Sequence, residues 1–209
     1  MDSTDAADLI AELHEDRADA EVAEKFRNRA ALMIAFLAAI LAIGGLGGGN
    51  ATDDMIFNNI RASDTWAFYQ AKNMRQTLYQ VAADQLEAEI AAAGGRPSPA
   101  QAARLAGYRA TVARYESEPD PDAPGDPLRG EGKRELRAQA EAYEAARDRA
   151  GLQDGNFDMA EVLLQLALVL GSVAILAVNR PILWLSGLLG IAGAALTLNG
   201  FLLLVPLPV

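Results

Sequence analysis

The stretch "VLLQLALVLGSVAILAVNRPILWLSGLLGIAGAALTLNGFLLLV" (Val162–Val205) contains a single charged side chain, Arg180. The triplet "NRP" (Asn179–Pro181) divides it into two uncharged runs, Val162–Val178 and Ile182–Val205. A helix needs about 20 apolar residues to cross the hydrocarbon of a bilayer, so the first run comes close to that length and the second exceeds it. Upstream, "AALMIAFLAAILAIGGLGGG" (Ala30–Gly49) is a third membrane-length run without an acid or base. The chain is 51% hydrophobic over 209 residues, and these blocks, rather than an even spread, account for that fraction. Three crossings are predicted, at 30–49, 159–178 and 182–205, with a cytoplasmic turn at 179–181 and a short tail at 206–209.

Charge sets the expected orientation. Residues 1–29 carry nine acids and four bases, and read as an acidic helix capped by Ser3 or Asp5. Lys25, Arg27 and Arg29 stand directly before Ala30, and Arg180 lies in the turn between the later runs. With three crossings all four bases fall on one side, which the positive-inside rule makes cytoplasmic. The leader is acidic rather than short and basic, so a retained anchor is expected rather than a cleaved signal.

Between the first and second crossings, residues 50–157 are polar and read as helical almost throughout. Ile60, Ala67, Ala71, Met74, Leu78 and Val81 recur at spacings of seven, four, three, four and three, which predicts a seam on one helix face. Gly94–Gly95 supplies a C-terminal cap, and "SPAQ" (Ser98–Gln101) an N-cap serine, a first-turn proline and a capping-box glutamine. Leu105, Tyr108, Val112 and Tyr115 mark the next helix. The run "EPDPDAPGDP" (Glu118–Pro127) is a loop, the tip of the segment, because its prolines cannot continue a helix. Leu136, Ala140, Tyr143 and Ala146 mark a returning helix, with a break expected at "GLQDGNFD" (Gly151–Asp158). The predicted fold is an all-α membrane protein: three transmembrane helices and a long extramembrane antiparallel helical hairpin or coiled-coil bundle.

Several functional classes lack support in the residues. A net charge of −10 argues against nucleic-acid binding. No cysteine is present for disulfide or thiol chemistry. His14 is the single histidine and sits among acids, so it has no partner for a metal pair. Asp120, Asp122 and Asp126 have the composition of a calcium loop, but interleaved prolines spoil its spacing. Neither a nucleophile elbow nor a phosphate loop occurs, and no catalytic residue, cofactor or metal is expected.

The aromatic cluster "DTWAFYQAKNMRQTLYQ" (Asp64–Gln80) is the strongest local signal. On a helix Trp66 lies near Tyr69, whereas Phe68 points elsewhere with Lys72 and Arg75. Trp66, Phe68, Tyr69 and Met74 are therefore candidate interface residues, against the plainer reading that they pack within the chain. Ala31, Ala35 and Ala39 repeat every fourth position in the first crossing, and Ser186, Gly190 and Ala194 do so in the third. Such small-residue faces let helices approach closely in lipid, within one chain or between copies. Glu161, Gln165, Thr197 and Asn199 are the polar groups in or beside the apolar runs. Glu161 precedes Arg180 by the same interval at which Asn199 follows it, which places the two at one depth in an antiparallel pair. Contact of Glu161 or Gln165 with the third crossing or another subunit is expected.

With "WAFYQAK" (Trp66–Lys72) and "AEVLLQLALVL" (Ala160–Leu170) as its most specific pieces, the chain resembles the bacterial family called domain of unknown function 4337. The order of acidic helix, alanine-rich crossing, helical return and closing crossing fits over nearly the whole length; the proline-rich tip is the most individual part. The resemblance implies a bacterial inner-membrane protein with a helical extramembrane part and brings no activity with it. Two function classes follow. The first is a non-enzymatic scaffold or interaction subunit, set in the lipid bilayer, that forms homo-oligomers or meets another membrane protein. The alternative is a channel or transporter subunit built by oligomerisation, for which one copy offers few polar groups.

Overall fold

A computed structural model describes the backbone of residues 3–205 and the side chains of residues 14, 16–17 and 19–205. The expected tail at 206–209 and the side-chain caps at Ser3 or Asp5 lie outside the described residues. Four helices follow in order: α1 (Ser3–Ala92), α2 (Pro99–Glu116), α3 (Lys133–Ala177) and α4 (Arg180–Leu202). Among the described residues there is no strand, only an isolated antiparallel bridge between Pro119 and Gly130. α1, α3 and α4 each contain a stretch long and apolar enough to cross a membrane.

The helix ends follow from local chemistry. Gly94 and Gly95 take left-handed φ values of 103° and 78°, and the Gly95 N–H donates to the Ile90 carbonyl at 2.9 Å, ending α1. Ser98 and Gln101 complete a reciprocal capping box at the start of α2. Asn179 is the N-cap of α4, its Oδ1 accepting from the Ile182 N–H at 3.2 Å. The turn is thus tighter than expected: Arg180 already belongs to α4, with Pro181 in its first turn.

The break expected at Gly151–Asp158 does not occur, and α3 runs through it. A glycine inside a helix costs about 1 kcal/mol, a weak preference that packing overrides. Here Asn156, Phe157 and Ala160 are buried on one face and hold the segment helical. α1 likewise continues through "GGLGGG", where Gly44 and Gly47 are buried.

The chain divides into two compact units, Met1–Thr52 with Gly151–Val209, and Asp53–Ala150. In the first, Leu37, Leu164 and Ala167 form a core on which Met33, Ile40, Leu41, Leu168 and Leu189 pack. Small residues bring these helices together. A Cβ on Gly193 would lie 2.7 Å from Leu164 Cγ, and one on Gly190 would lie 2.6 Å from Leu37 Cδ2. Nearby, Phe157 packs edge-on to Phe201 at 4.9 Å between ring centres, over Gly47 and Gly200.

In the second unit α1 meets both α2 and α3. Asn73 and Gln76 bond Lys133, Trp66 bonds Glu144 and Asn59 bonds Arg147, so partner numbers on α3 rise as those on α1 fall. The inward face of α1 carries Ala62, Tyr69, Gln76, Ala83 and Ile90, spaced by seven, with Thr65, Lys72 and Leu86 between them. The expected seam of Ile60, Ala67, Ala71, Met74, Leu78 and Val81 lies on a different face of α1. Ile60, Met74, Leu78 and Val81 are 48–69% exposed, because the inward positions include polar residues whose partners come from elsewhere in the chain. On α3, Leu136, Ala140 and Tyr143 turn inward as expected, but Ala146 is exposed and Ala150 is buried in its place.

Candidate functional site

Lys72, within "WAFYQAK", is 4% exposed, which is unusual for a lysine and demands partners. Its Nζ lies 3.3 Å from Glu118 Oε2 and 3.6 Å from Glu131 Oε2. The ammonium also sits 5.3 Å from the Phe68 ring centre and 6.0 Å from that of Tyr115. One turn on, Gln76 donates from Nε2 to the Val112 carbonyl and to Glu116 Oε2, each at 3.0 Å, and accepts from Lys133 Nζ at 2.7 Å.

A second part of the cluster holds the loop from below. Glu135 is 4% exposed and accepts from Ser117 Oγ at 2.6 Å and from the Glu118 N–H at 3.1 Å. Burial pushes its carboxyl up, but these two donors win and hold it below the usual range. Glu116 is also held low, first by the Gln76 amide and then by Lys133. The proline-rich loop closes on itself: Arg129 pairs with Asp120 at 2.7 Å and the Glu131 N–H donates to the Glu118 carbonyl at 2.9 Å. Gly132 fits against Glu118 N and the Glu135 carboxylate, where no side chain would. The cluster is a clamp fastening the loop to α1. Among the described residues no buried side-chain nitrogen or oxygen lacks a partner, so its polar groups are engaged in structure.

The aromatic candidates separate into two sets. Trp66 and Tyr69 face inward, half-buried and edge-to-face at 5.5 Å, with Trp66 Nε1 donating to Glu144 Oε1 at 2.9 Å. Phe68 and Met74 face outward, 42% and 69% exposed. Sequence reasoning did not single out Lys72, Gln76, Lys133 or Glu135. The available signal was the run Tyr69, Lys72 and Gln76 at three- and four-residue spacing, which begins inside the most specific motif and continues past it.

The membrane-length helices place the other candidates. Ser186 is fully buried, its Oγ donating to the Ala167 carbonyl at 2.6 Å, and Gly190 is buried against Leu37. Ala194 is half-buried, so this face works within the chain. Ala31, Ala35 and Ala39 are exposed. Thr197 is buried and donates to the Gly193 carbonyl at 3.0 Å. Glu161 and Gln165 are also exposed, and Gln165 Nε2 donates to Glu161 Oε1 at 2.7 Å. Within this chain neither reaches α4, where Asn199 meets Asn156 instead, so of the two expected contacts only that with another subunit is left.

No curated protein and no solved structure matches the chain. A family model does, over residues 26–203, which takes in the three membrane-length stretches, the clamp and the loop. The chain belongs to the family described as domain of unknown function (DUF4337).

Proposed function

We propose that this protein is a non-enzymatic scaffold or interaction subunit of the bacterial inner membrane that self-associates through α1. Lys25, Arg27, Arg29 and Arg180 lie on the cytoplasmic side in this reading, and residues 51–157 form an antiparallel helical hairpin in the periplasm. The carrying observation is a second heptad stripe on α1, left uncovered by the chain itself. Phe57, Ala71 and Leu78 occupy its a positions, with Ile60, Ala67, Met74 and Val81 at d, and all seven are exposed. Isolated exposed apolar residues are ordinary, but a stripe in register over four heptads is a packing surface.

A second copy is the occupant that fits. Copies inserted in one membrane share a direction, so their α1 helices meet in parallel and in register. One flank of the stripe is Ser63, Gln70 and Thr77, and the other is Arg61, Phe68, Arg75 and Ala82. In a parallel pair the uncharged flank of one copy meets the basic flank of the other, so these positions bring no like charges together. Asp64 at an a position is the one charge inside the stripe and keeps the association modest.

Cysteine cross-linking in membranes tests this, since the chain has no native cysteine. Leu78→Cys and Met74→Cys should give disulfide-linked dimers on mild oxidation, and Gln85→Cys weaker ones. Gln80→Cys, exposed and off both the stripe and its flanks, is the control. Equal cross-linking at residues 78 and 80 would overturn the proposal.

A further inference from the structure

In the unit that holds the membrane-length helices, α1 and α4 leave between them a groove of about 650 Å³, within the size range of pockets that take small ligands. Its two halves differ in chemistry. Met33, Leu188 and Ile191 line one end, each inside an apolar run. Lys25, Arg29 and Arg180 line the other, where those runs begin, and no acid is among the lining residues. Trp184, 75% exposed, stands between them.

We infer that this groove binds an anionic phospholipid, with the phosphodiester on Arg29 and Arg180 and one acyl chain lying along Met33, Leu188 and Ile191. The charge fits. Lys25 reaches Glu21 at 3.8 Å on the exposed surface, whereas Arg29 and Arg180 make no ion pair among the described residues. Guanidinium groups bind phosphate oxygens with paired donors, and two from different helices can hold one headgroup from both sides. Basic pockets between membrane helices select anionic headgroups in this way, adding a local geometry to the general attraction of juxtamembrane bases. The shape fits too. From Arg180 to Ile191, α4 rises about 16 Å, enough to accompany an acyl chain through half of the hydrocarbon. An acidic peptide would match the bases but would leave the apolar end uncovered. A zwitterionic lipid would match the apolar end and leave the arginines without a net counter-charge.

Trp184 reports occupancy directly. The full chain is reconstituted in phosphatidylcholine vesicles in which one lipid in ten is either dibromo-phosphatidylglycerol or dibromo-phosphatidylcholine. The Trp184 signal is the native fluorescence minus that of Trp184→Phe, which removes the contribution of Trp66. Bromolipid quenching should show phosphatidylglycerol enriched at Trp184 over phosphatidylcholine by about tenfold, and each of Arg29→Gln and Arg180→Gln should lower that enrichment by about fivefold. Quenching by dibromo-phosphatidylcholine stays unchanged in both variants, which shows that they are inserted and folded. Arg29→Lys should keep more of the enrichment than Arg29→Gln. Equal quenching by the two bromolipids in the native chain overturns the inference. So does enrichment abolished by inorganic phosphate, which would make the bases a free-anion site, or abolished by a short polyglutamate peptide, which would make them a protein-docking site.

Discussion

Asn199 on α4 donates from Nδ2 to Oδ1 of Asn156 on α3 at 2.7 Å, both side chains are buried, and the Asn199 carboxamide also bonds the N–H and carbonyl of Val205 at 2.9 Å each. Asn156 in turn donates to the Leu152 carbonyl at 2.7 Å. One side chain thereby ties α3 to α4 and supplies partners to the backbone after α4, whose end is marked by Leu203 at φ 48°. Removing it strands several polar groups where water is scarce. Asn199→Leu should lower unfolding free energy in bicelles by about 1–3 kcal/mol. The double variant Asn156→Leu/Asn199→Leu should lose less than the sum of the singles, with a coupling of about 0.6 kcal/mol, the average for interhelical bonds in membranes. Strict additivity would mean that the two amides do not support each other.

The Lys72 clamp makes a second prediction, read by a protease. Glu118 and Glu131 face the Lys72 ammonium, and removing the cation leaves two carboxylates side by side. Lys72→Gln should loosen the loop and speed tryptic cleavage after Arg129, with a stability loss of about 1–3 kcal/mol. Arg96→Gln, at an exposed position in the turn after α1, is the control and should leave cleavage after Arg129 unchanged.

The clamp also shows where reading the sequence succeeds and fails. Apolar runs announce themselves by length, and caps such as Ser98–Gln101 by local residue order, so the helices and most of their ends are legible. Which face of α1 turns inward is not. Hydrophobicity selects Ile60, Met74 and Leu78, whereas the inward face carries Lys72 and Gln76, acceptable there only because Glu118, Glu131 and the Val112 carbonyl arrive from distant parts of the chain. The depth of Asn199 could be counted from Arg180, but depth names no partner. Rotation about the α3 axis decides between Glu161 and Asn156, and the bulky Phe157 packed beside Gly200 sets that rotation.

Acid should weaken the helical unit through Glu135. Its folded pKa lies below the ordinary value, so its stabilisation is complete above the unfolded pKa of about 4.3 and disappears as pH falls through the folded value. Glu116, also depressed, adds in the same direction. The unfolding midpoint should change little between pH 7 and 5 and drop below about pH 4. Glu135→Gln should be less stable than the native chain at pH 7, and the gap should narrow by pH 3. A gap that stays constant with pH would show that the charge of Glu135 contributes nothing beyond its shape.

The turn between α3 and α4 places Val178 at φ 48°, left-handed backbone that a β-branched residue adopts only under strain. The Asn179 N–H donates to the Ala174 carbonyl at 3.1 Å, the long bond of a Schellman cap, whose preferred residue at that position is glycine. Val178→Gly should therefore stabilise the chain by about 1 kcal/mol, read as a raised unfolding midpoint in detergent.

The two small-residue faces separate in a final experiment. Gly190 lies under Leu37, and any Cβ there meets the Leu37 methyls at 2.6–2.7 Å, inside the packed core of its unit. Gly190→Leu must therefore displace Leu37 or α4 itself, and should cost about 1–3 kcal/mol of stability as overpacking. Ala35 is exposed, and a larger side chain there points away from the rest of the chain. Ala35→Leu should leave the unfolding free energy of the isolated chain within about 0.5 kcal/mol of native. Thermal unfolding of both variants in the same detergent, with mass by light scattering, makes the comparison. If Ala35→Leu is instead the more destabilising, with native mass retained, the packing of α1 against α4 has been assigned to the wrong face of α1.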